Sequence, residues 1–286
     1  MGKKGGSFLS PKLMNFTVLA WGSFLTISLL CFYLFSDGDF SFVMTYASMT
    51  RFFAFAVLAF KMIWTKSSQG VSLKTLELYC LMYLFRLAAI ARHEGYLPFD
   101  RSGDWFYHMV EFLALVLVGL SGFLIMGPFA ARYEKTFDCF GNLHVPPEYG
   151  AVYLIVPCFL LALVFHPSLN NEWFSDCCWT FSMYLETVAI MPQLYMFQKQ
   201  VSRVVEVLIS HSVFALGFAR VLDLVFWLST YSELAGKGST NFSGMLILFT
   251  QFINVALMGD FFYYYFLSIK SGTGMQLPMT AAATNV

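Results

Sequence analysis

The sequence predicts an all-α, polytopic membrane helix bundle, and two observations carry that prediction. The 286-residue chain is 58% hydrophobic and only 12% charged, whereas soluble proteins carry about 25% charged residues. Its apolar residues gather into eight runs, 16–35, 42–64, 76–90, 105–126, 149–165, 173–197, 204–231 and 242–269. Most approach the ~20 residues a helix needs to cross a bilayer. Every connection is brief, so no soluble domain fits between them.

The first run has an alternative reading as a cleaved signal peptide. Its apolar stretch exceeds the roughly 7–15 residues of a signal core, and no small-x-small site precedes Ser36. It reads as a retained helix. Gly2 does not mark myristoylation, because position 6 is Gly. The second run holds Arg51 and Lys61, and Lys61 lies close enough to the helix end to snorkel. The short third run holds Arg86. The fourth holds His108 and Glu111, an i, i+3 pair that reads as packing sooner than as a metal or proton pair. The sixth run places Glu186, Pro192 and Gln193 near its middle. Intramembrane carboxylates and proline-freed backbone groups survive where protein or water satisfies them, so this helix lines a polar cavity. The seventh run carries His211, Arg220, Asp223 and Trp227; the lone histidine reads as a core residue. The eighth carries Asp260 and an aromatic run, 261–266, that suits an interfacial belt.

Basic residues orient the bundle. With a cytosolic N-terminus, that side holds Lys3, Lys4, Lys12, Lys66, Lys74, Arg132, Lys135, Lys199, Arg203 and Lys270. The opposite side holds only Arg92, Arg101 and Lys237, and its first loop is acidic through Asp37 and Asp39. This positive-inside bias puts both termini in the cytosol. Arg51, Arg86 and Arg220 remain inside spans, where each costs several kcal/mol against lipid. They are expected to face a cavity or to pair with Glu77, Glu111, Asp176, Glu186, Asp223 or Asp260. The plainer alternative is that such pairs only lock helices together.

The formal net charge is zero, with 17 basic and 17 acidic residues, so no nucleic-acid partner is indicated. The six cysteines lack zinc or C-x-x-C spacing. No nucleophile–base constellation, phosphate loop or metal signature appears, so neither an enzyme nor a cofactor is expected.

Three blocks resemble the KDEL receptors, the ER lumen protein-retaining receptors that retrieve escaped lumenal proteins from the Golgi. They are the stretch from Trp179 to Lys199, His211-Ser-Val-Phe-Ala-Leu-Gly-Phe-Ala-Arg220, and Asp260-Phe-Phe-Tyr-Tyr-Tyr265 with Leu277 and Pro278 beyond it. Gly70-Val71-Ser72-x-Lys74 matches a loop of the same family. The resemblance covers about 42–278, the last seven spans, and implies a fold similar to SWEET and PQ-loop proteins. It divides the chain into residues 1–41 with one extra helix, a receptor-like body at 42–270 and a cytosolic tail at 271–286. The extra helix looks most like that of the N-terminally extended KDEL-receptor-related subgroup.

The resemblance implies a lumenal cavity that takes peptides ending in a carboxylate. It implies ligand-binding roles for Arg86, Arg220, Asp176, Trp179, Glu186, Trp227 and Asp260, with Arg51 and Asp223 as this chain's own additions. Arg86 and Arg220 are expected to face one another across a lumen-open pocket with Asp176 near its mouth. Implied partners are lumenal proteins with C-terminal retrieval peptides, vesicle coat machinery and membrane lipid, in the endoplasmic reticulum and Golgi. The chain also departs from the family. A family arginine falls on Thr45, and a histidine tied to acid-dependent binding falls on Phe52. Two tyrosines become Ala219 and Asp223, and a further arginine becomes Thr230. Fewer cations and an added Asp223 make the cavity less attractive to a carboxylate, and the loss of the histidine implies a weak pH response. The tail's coat-engaging lysines fall on Ser271, Thr273 and Gly274, leaving Lys270. Two other classes stay open at this point: a small-solute carrier on the same bundle, and a membrane protein that binds trafficking partners without a lumenal ligand.

Overall fold

The computed structural model describes residues 11–36, 38–93, 104–169, 172–200, 204–232, 241–272 and 274–276. Lys3, Lys4, Asp37, Arg101, Arg203, Lys237, Thr273, Leu277, Pro278 and residues 279–286 lie outside these residues. The α-helices are α1 (Pro11–Phe35), α2 (Phe42–Thr65), α3 (Leu73–Ile90), α4 (Asp104–Met126), α5 (Val152–Val164), α6 (Trp173–Ala189), α7 (Met191–Lys199), α8 (Val207–Ser229), α9 (Phe242–Ala256) and α10 (Gly259–Ser271). Among the described residues the only β pairing is a single bridge, Val204 to Gln276.

Five stretches are long and apolar enough to cross a membrane: Phe16–Phe35, Phe42–Thr65, Trp105–Met126, Pro147–Val164 and Val207–Ser229. The bent pair α9 and α10 makes a sixth if it counts as one span. The chain is thus a polytopic helical membrane protein. Helices α3 and α6 do not meet that measure: α3, with 18 residues, carries Lys74, Glu77 and Arg86, and α6 has only 17 residues. They are also deeply enclosed. Helix α3 packs chiefly on α6 and α4, and α2 on α8 and α4. Their polar side chains therefore meet protein.

Two expected helices are broken. The sixth run divides at Ile190 into α6 and α7, because Pro192 lacks an N–H and its fixed φ suits a first helical turn. The eighth divides at Leu257 and Met258, and its halves are bent by 40°. Each break leaves C-terminal carbonyls without helical partners.

Helix α1 docks through aromatic side chains. Phe24 stacks on Phe53 at 4.5 Å, Trp21 meets Phe53 and Phe214, and Phe35 stacks on Phe106 at 4.9 Å. Its opposite side leaves Leu19, Leu30 and Tyr33 exposed, as a lipid-facing helix does. The inner core forms where Phe55, Tyr79, Tyr83, Phe181 and Leu185 meet.

The start of α3 is tied from two sides. Buried Asp138 accepts hydrogen bonds from Ser72 Oγ and Leu73 N at 2.8 Å and from Tyr133 Oη at 2.6 Å. Gln193 accepts from Ser72 N at 2.8 Å and donates to Gly70 O at 2.8 Å, joining α7 to the same turn. Asp138→Ala strands several buried donors at a helix N-terminus. It should cost about 1–3 kcal/mol or more in detergent thermal unfolding. Lys61 corrects the snorkelling expectation: it is 1% exposed, donates to Gln69 O at 2.7 Å and pairs with Glu206 at 2.9 Å.

Candidate functional site

Five helices each send one charged side chain into the centre of the bundle: Arg51 from α2, Arg86 from α3, Glu111 from α4, Glu186 from α6 and Asp223 from α8. All are buried, with Arg51 and Glu111 each 1% exposed. Arg51 contacts Asp223 at 2.5 Å, Glu186 at 3.2 Å and Glu111 at 3.4 Å. Arg86 pairs closely with Glu186 and lies 3.7 Å from Glu111. Ser48 adds a link, accepting from Arg51 at 3.0 Å and donating to Glu111. Taking any one of these ions out of water costs several kcal/mol, so the cluster is tenable only because its members neutralise one another.

Against this cluster lies a cavity of about 10 Å³, lined by both arginines, Glu186 and Asp223 and by Trp179 and Trp227. That is room for a single water at most. The two tryptophans meet edge to face, with centroids 5.7 Å apart. Asp223 Oδ1 and Arg51 Nε, both buried, find no protein partner. The cluster's two arginines are thus already claimed by internal carboxylates, and a free anion meets no unpaired guanidinium there.

Of the nine side chains expected to bind ligand, Arg51, Arg86, Trp179, Glu186, Asp223 and Trp227 come together around this cavity. Arg220 does not line it, which corrects the expectation that it faces Arg86 across a pocket. It donates instead to Glu186 O at 2.6 Å, Tyr79 Oη at 3.1 Å, and Thr187 O and Asn254 O at 3.4 Å. These carbonyls lie in the last turns of α6 and α9, the two helices that break. A cation there satisfies freed carbonyls and complements two helix C-termini at once. Asp176 sits in the first turn of α6, accepting from Leu169 N at 3.2 Å, and is not part of the cavity wall. Asp260 is exposed in the first turn of α10, beyond the second break, and takes no part in the cluster. Glu111, expected from the sequence as a partner for the buried arginines though not as a ligand residue, does pair with both Arg51 and Arg86. Its reach to both arginines depends on how α4 packs.

A second cluster joins the ends of α3 and α6. Glu172 accepts from Arg92 at 3.0 Å and from Ser175 at 2.8 Å, and it also pairs with His93. Hydrogen bonds from His93 and Ser175, aided by Arg92, hold the Glu172 carboxyl at about 2, below its ordinary 4.5. A depressed carboxyl stabilises the fold fully above its unfolded value and loses that contribution as pH falls through its folded value. Thermal stability should therefore decline as pH drops from 4.5 to about 2, and Glu172→Gln should flatten that decline.

A sequence model described as ER lumen protein retaining receptor matches residues 67–230. ER lumen protein-retaining receptor B of Arabidopsis thaliana is 34% identical over 234 residues, covering 80% of this chain and 95% of the relative. The chain belongs to the ER lumen protein-retaining receptor family. The Drosophila melanogaster receptor is 31% identical over 231 residues, again 80% of this chain and 95% of its own length. That of Kluyveromyces lactis is 31% identical over 217 residues, 75% of this chain and 88% of its own. The family consists of receptors, not enzymes. Its match spans α3 to α8, so the charged cluster lies mostly inside the shared region, while Arg51 precedes the matched residues.

Proposed function

We propose that this chain binds C-terminal retrieval signals of lumenal proteins and returns them from the Golgi to the endoplasmic reticulum. Family membership over nearly the whole length of its relatives carries this reading. The arginine and tryptophan side chains around the central cavity supply suitable chemistry for a peptide carboxylate. In this reading the bundle has eight spans with both termini cytosolic. Residues 42–270 form the SWEET-like receptor body, residues 1–41 supply the extra helix, and residues 271–286 form the tail. Lys270 is the one basic residue left near that tail for coat machinery.

Capture then proceeds by exchange of ionic partners. A cavity of about 10 Å³ admits no peptide, so Trp179 and Trp227 separate as ligand enters. The incoming carboxylate takes Arg51 from Asp223, or Arg86 from Glu186. The internal acids compete for the same cations and set a weaker affinity than an uncompensated site would have. The test uses cells lacking their own receptor and a secreted reporter ending in Lys-Asp-Glu-Leu, an endoplasmic-reticulum retention signal. Expression of this chain should reduce secretion of the reporter and leave that of a tail-less reporter unchanged. Equal secretion of both would defeat the proposal.

A further inference from the structure

Helix α9 turns Ile247, Thr250, Gln251 and Asn254 inward, the spacing of one helical face. Gln251 is 5% exposed and lines the central cavity beside Arg51, Asp223 and Trp227. The other polar side chains of that wall are charged or are tryptophans. Gln251 alone brings a neutral carboxamide to it.

The carboxamide is held by its oxygen. Gln251 Oε1 accepts from Asn254 Nδ2 at 3.4 Å, and the Asn254 backbone carbonyl accepts from Arg220. The Gln251 NH2 group makes no hydrogen bond to the described residues. With the oxygen turned to its own helix, that NH2 is the end left for the cavity. The arginines differ, since Arg51 is claimed by Asp223, Glu186 and Glu111, and Arg86 by Glu186. A ligand oxygen that takes either guanidinium must first break an internal ion pair, whereas Gln251 Nε2 gives up no protein partner. A carboxylate has two oxygens and about four lone-pair sites. One oxygen can therefore take an arginine while the other takes this amide.

We propose that Gln251 is a specificity-determining residue of the peptide site, with Nε2 donating to an oxygen of the ligand's terminal carboxyl group. The inference rests on the peptide-binding reading above. A neutral donor serves a carboxylate and an amide carbonyl alike, so Gln251 lets the site take a blocked as well as a free C-terminus.

The purified full-length chain in detergent is titrated with a peptide ending in Lys-Asp-Glu-Leu and with its C-terminal amide. Gln251→Leu removes the donor and should weaken both roughly 2- to 13-fold. Gln251→Glu puts a charged acceptor in its place, which repels a free carboxylate and accepts from the N–H of an amide. Preference should then swing to the amide by roughly 10- to 150-fold, the value of one hydrogen bond to a charged group. Gln251→Lys should swing it as far toward the free acid. Its added cation suits a cluster in which Glu111, Glu186 and Asp223 face only Arg51 and Arg86. A damaged fold does not produce opposite swings, and either charged variant carries the test if the other fails to fold. Unchanged binding in Gln251→Leu, or an unchanged ratio of acid to amide in the charged variants, would overturn the assignment and leave the peptide-binding reading standing. Binding of neither peptide by the original chain would defeat that reading and the assignment with it.

Discussion

Arg51→Met should cost about 3–5 kcal/mol of stability, the effect of removing one partner from a buried ionic network. Arg51 is the one cation within salt-bridge distance of Asp223 among the described residues. Its loss leaves a buried, uncompensated carboxylate, while Glu186 retains Arg86. The double variant Arg51→Met, Asp223→Asn should recover much of the loss, because it removes the stranded charge along with its partner. Thermal unfolding of the two single variants and the double in detergent completes the cycle, and residues in direct contact couple by about 0.5–3 kcal/mol. Additive losses would mean that the two side chains do not form the ion pair seen here.

Arg220→Met should be comparably damaging, for a different reason. The guanidinium serves carbonyls from two interrupted helices and the Tyr79 hydroxyl. Hydrogen bonds to a charged group contribute about 1.5–3 kcal/mol each, and a methionine supplies no donor to those carbonyls. Arg220→Lys should rescue only in part, since one ammonium cannot span acceptors on two helices as a planar fork does. Hydrogen exchange should quicken at the ends of α6 and α9 in Arg220→Met and remain near the original rate in α2. Loss of peptide binding without any loss of stability would restore Arg220 to the ligand site.

How much of this was legible in the sequence follows from which forces act locally. The apolar runs are local, and each appears as helix. The break at Pro192 was foreshadowed by its ring and missing N–H, but the division into two helices depends on what receives the freed carbonyls. No sequence signal of similar strength marks the break at Leu257 and Met258. The buried arginines and acids were identifiable because intramembrane charge is costly, but their pairing was not. Arg220 looked like a ligand residue, since a helix carrying an arginine says nothing of which way its side chain turns. Only the two helix ends beside it show that backbone carbonyls hold it. Asp260 lies in a stretch that resembles the family, yet it is exposed at the start of α10, beyond the bend, and a match of motif says nothing of burial. Lys61 sits near enough to a helix end to snorkel, but Glu206, distant in sequence, keeps it buried.

The claim that internal carboxylates hold the cavity's cations is tested most directly by peptide binding. The original chain and Asp223→Asn, purified in detergent, are each titrated with a peptide ending in Lys-Asp-Glu-Leu and with its C-terminal amide. The original chain should discriminate little between them. Asp223→Asn frees Arg51 of a competing charge, so it should favour the free carboxylate by roughly 10- to 150-fold, the value of one charge-assisted hydrogen bond. A strong preference for the free acid already present in the original chain, and unchanged by Asp223→Asn, would contradict the account.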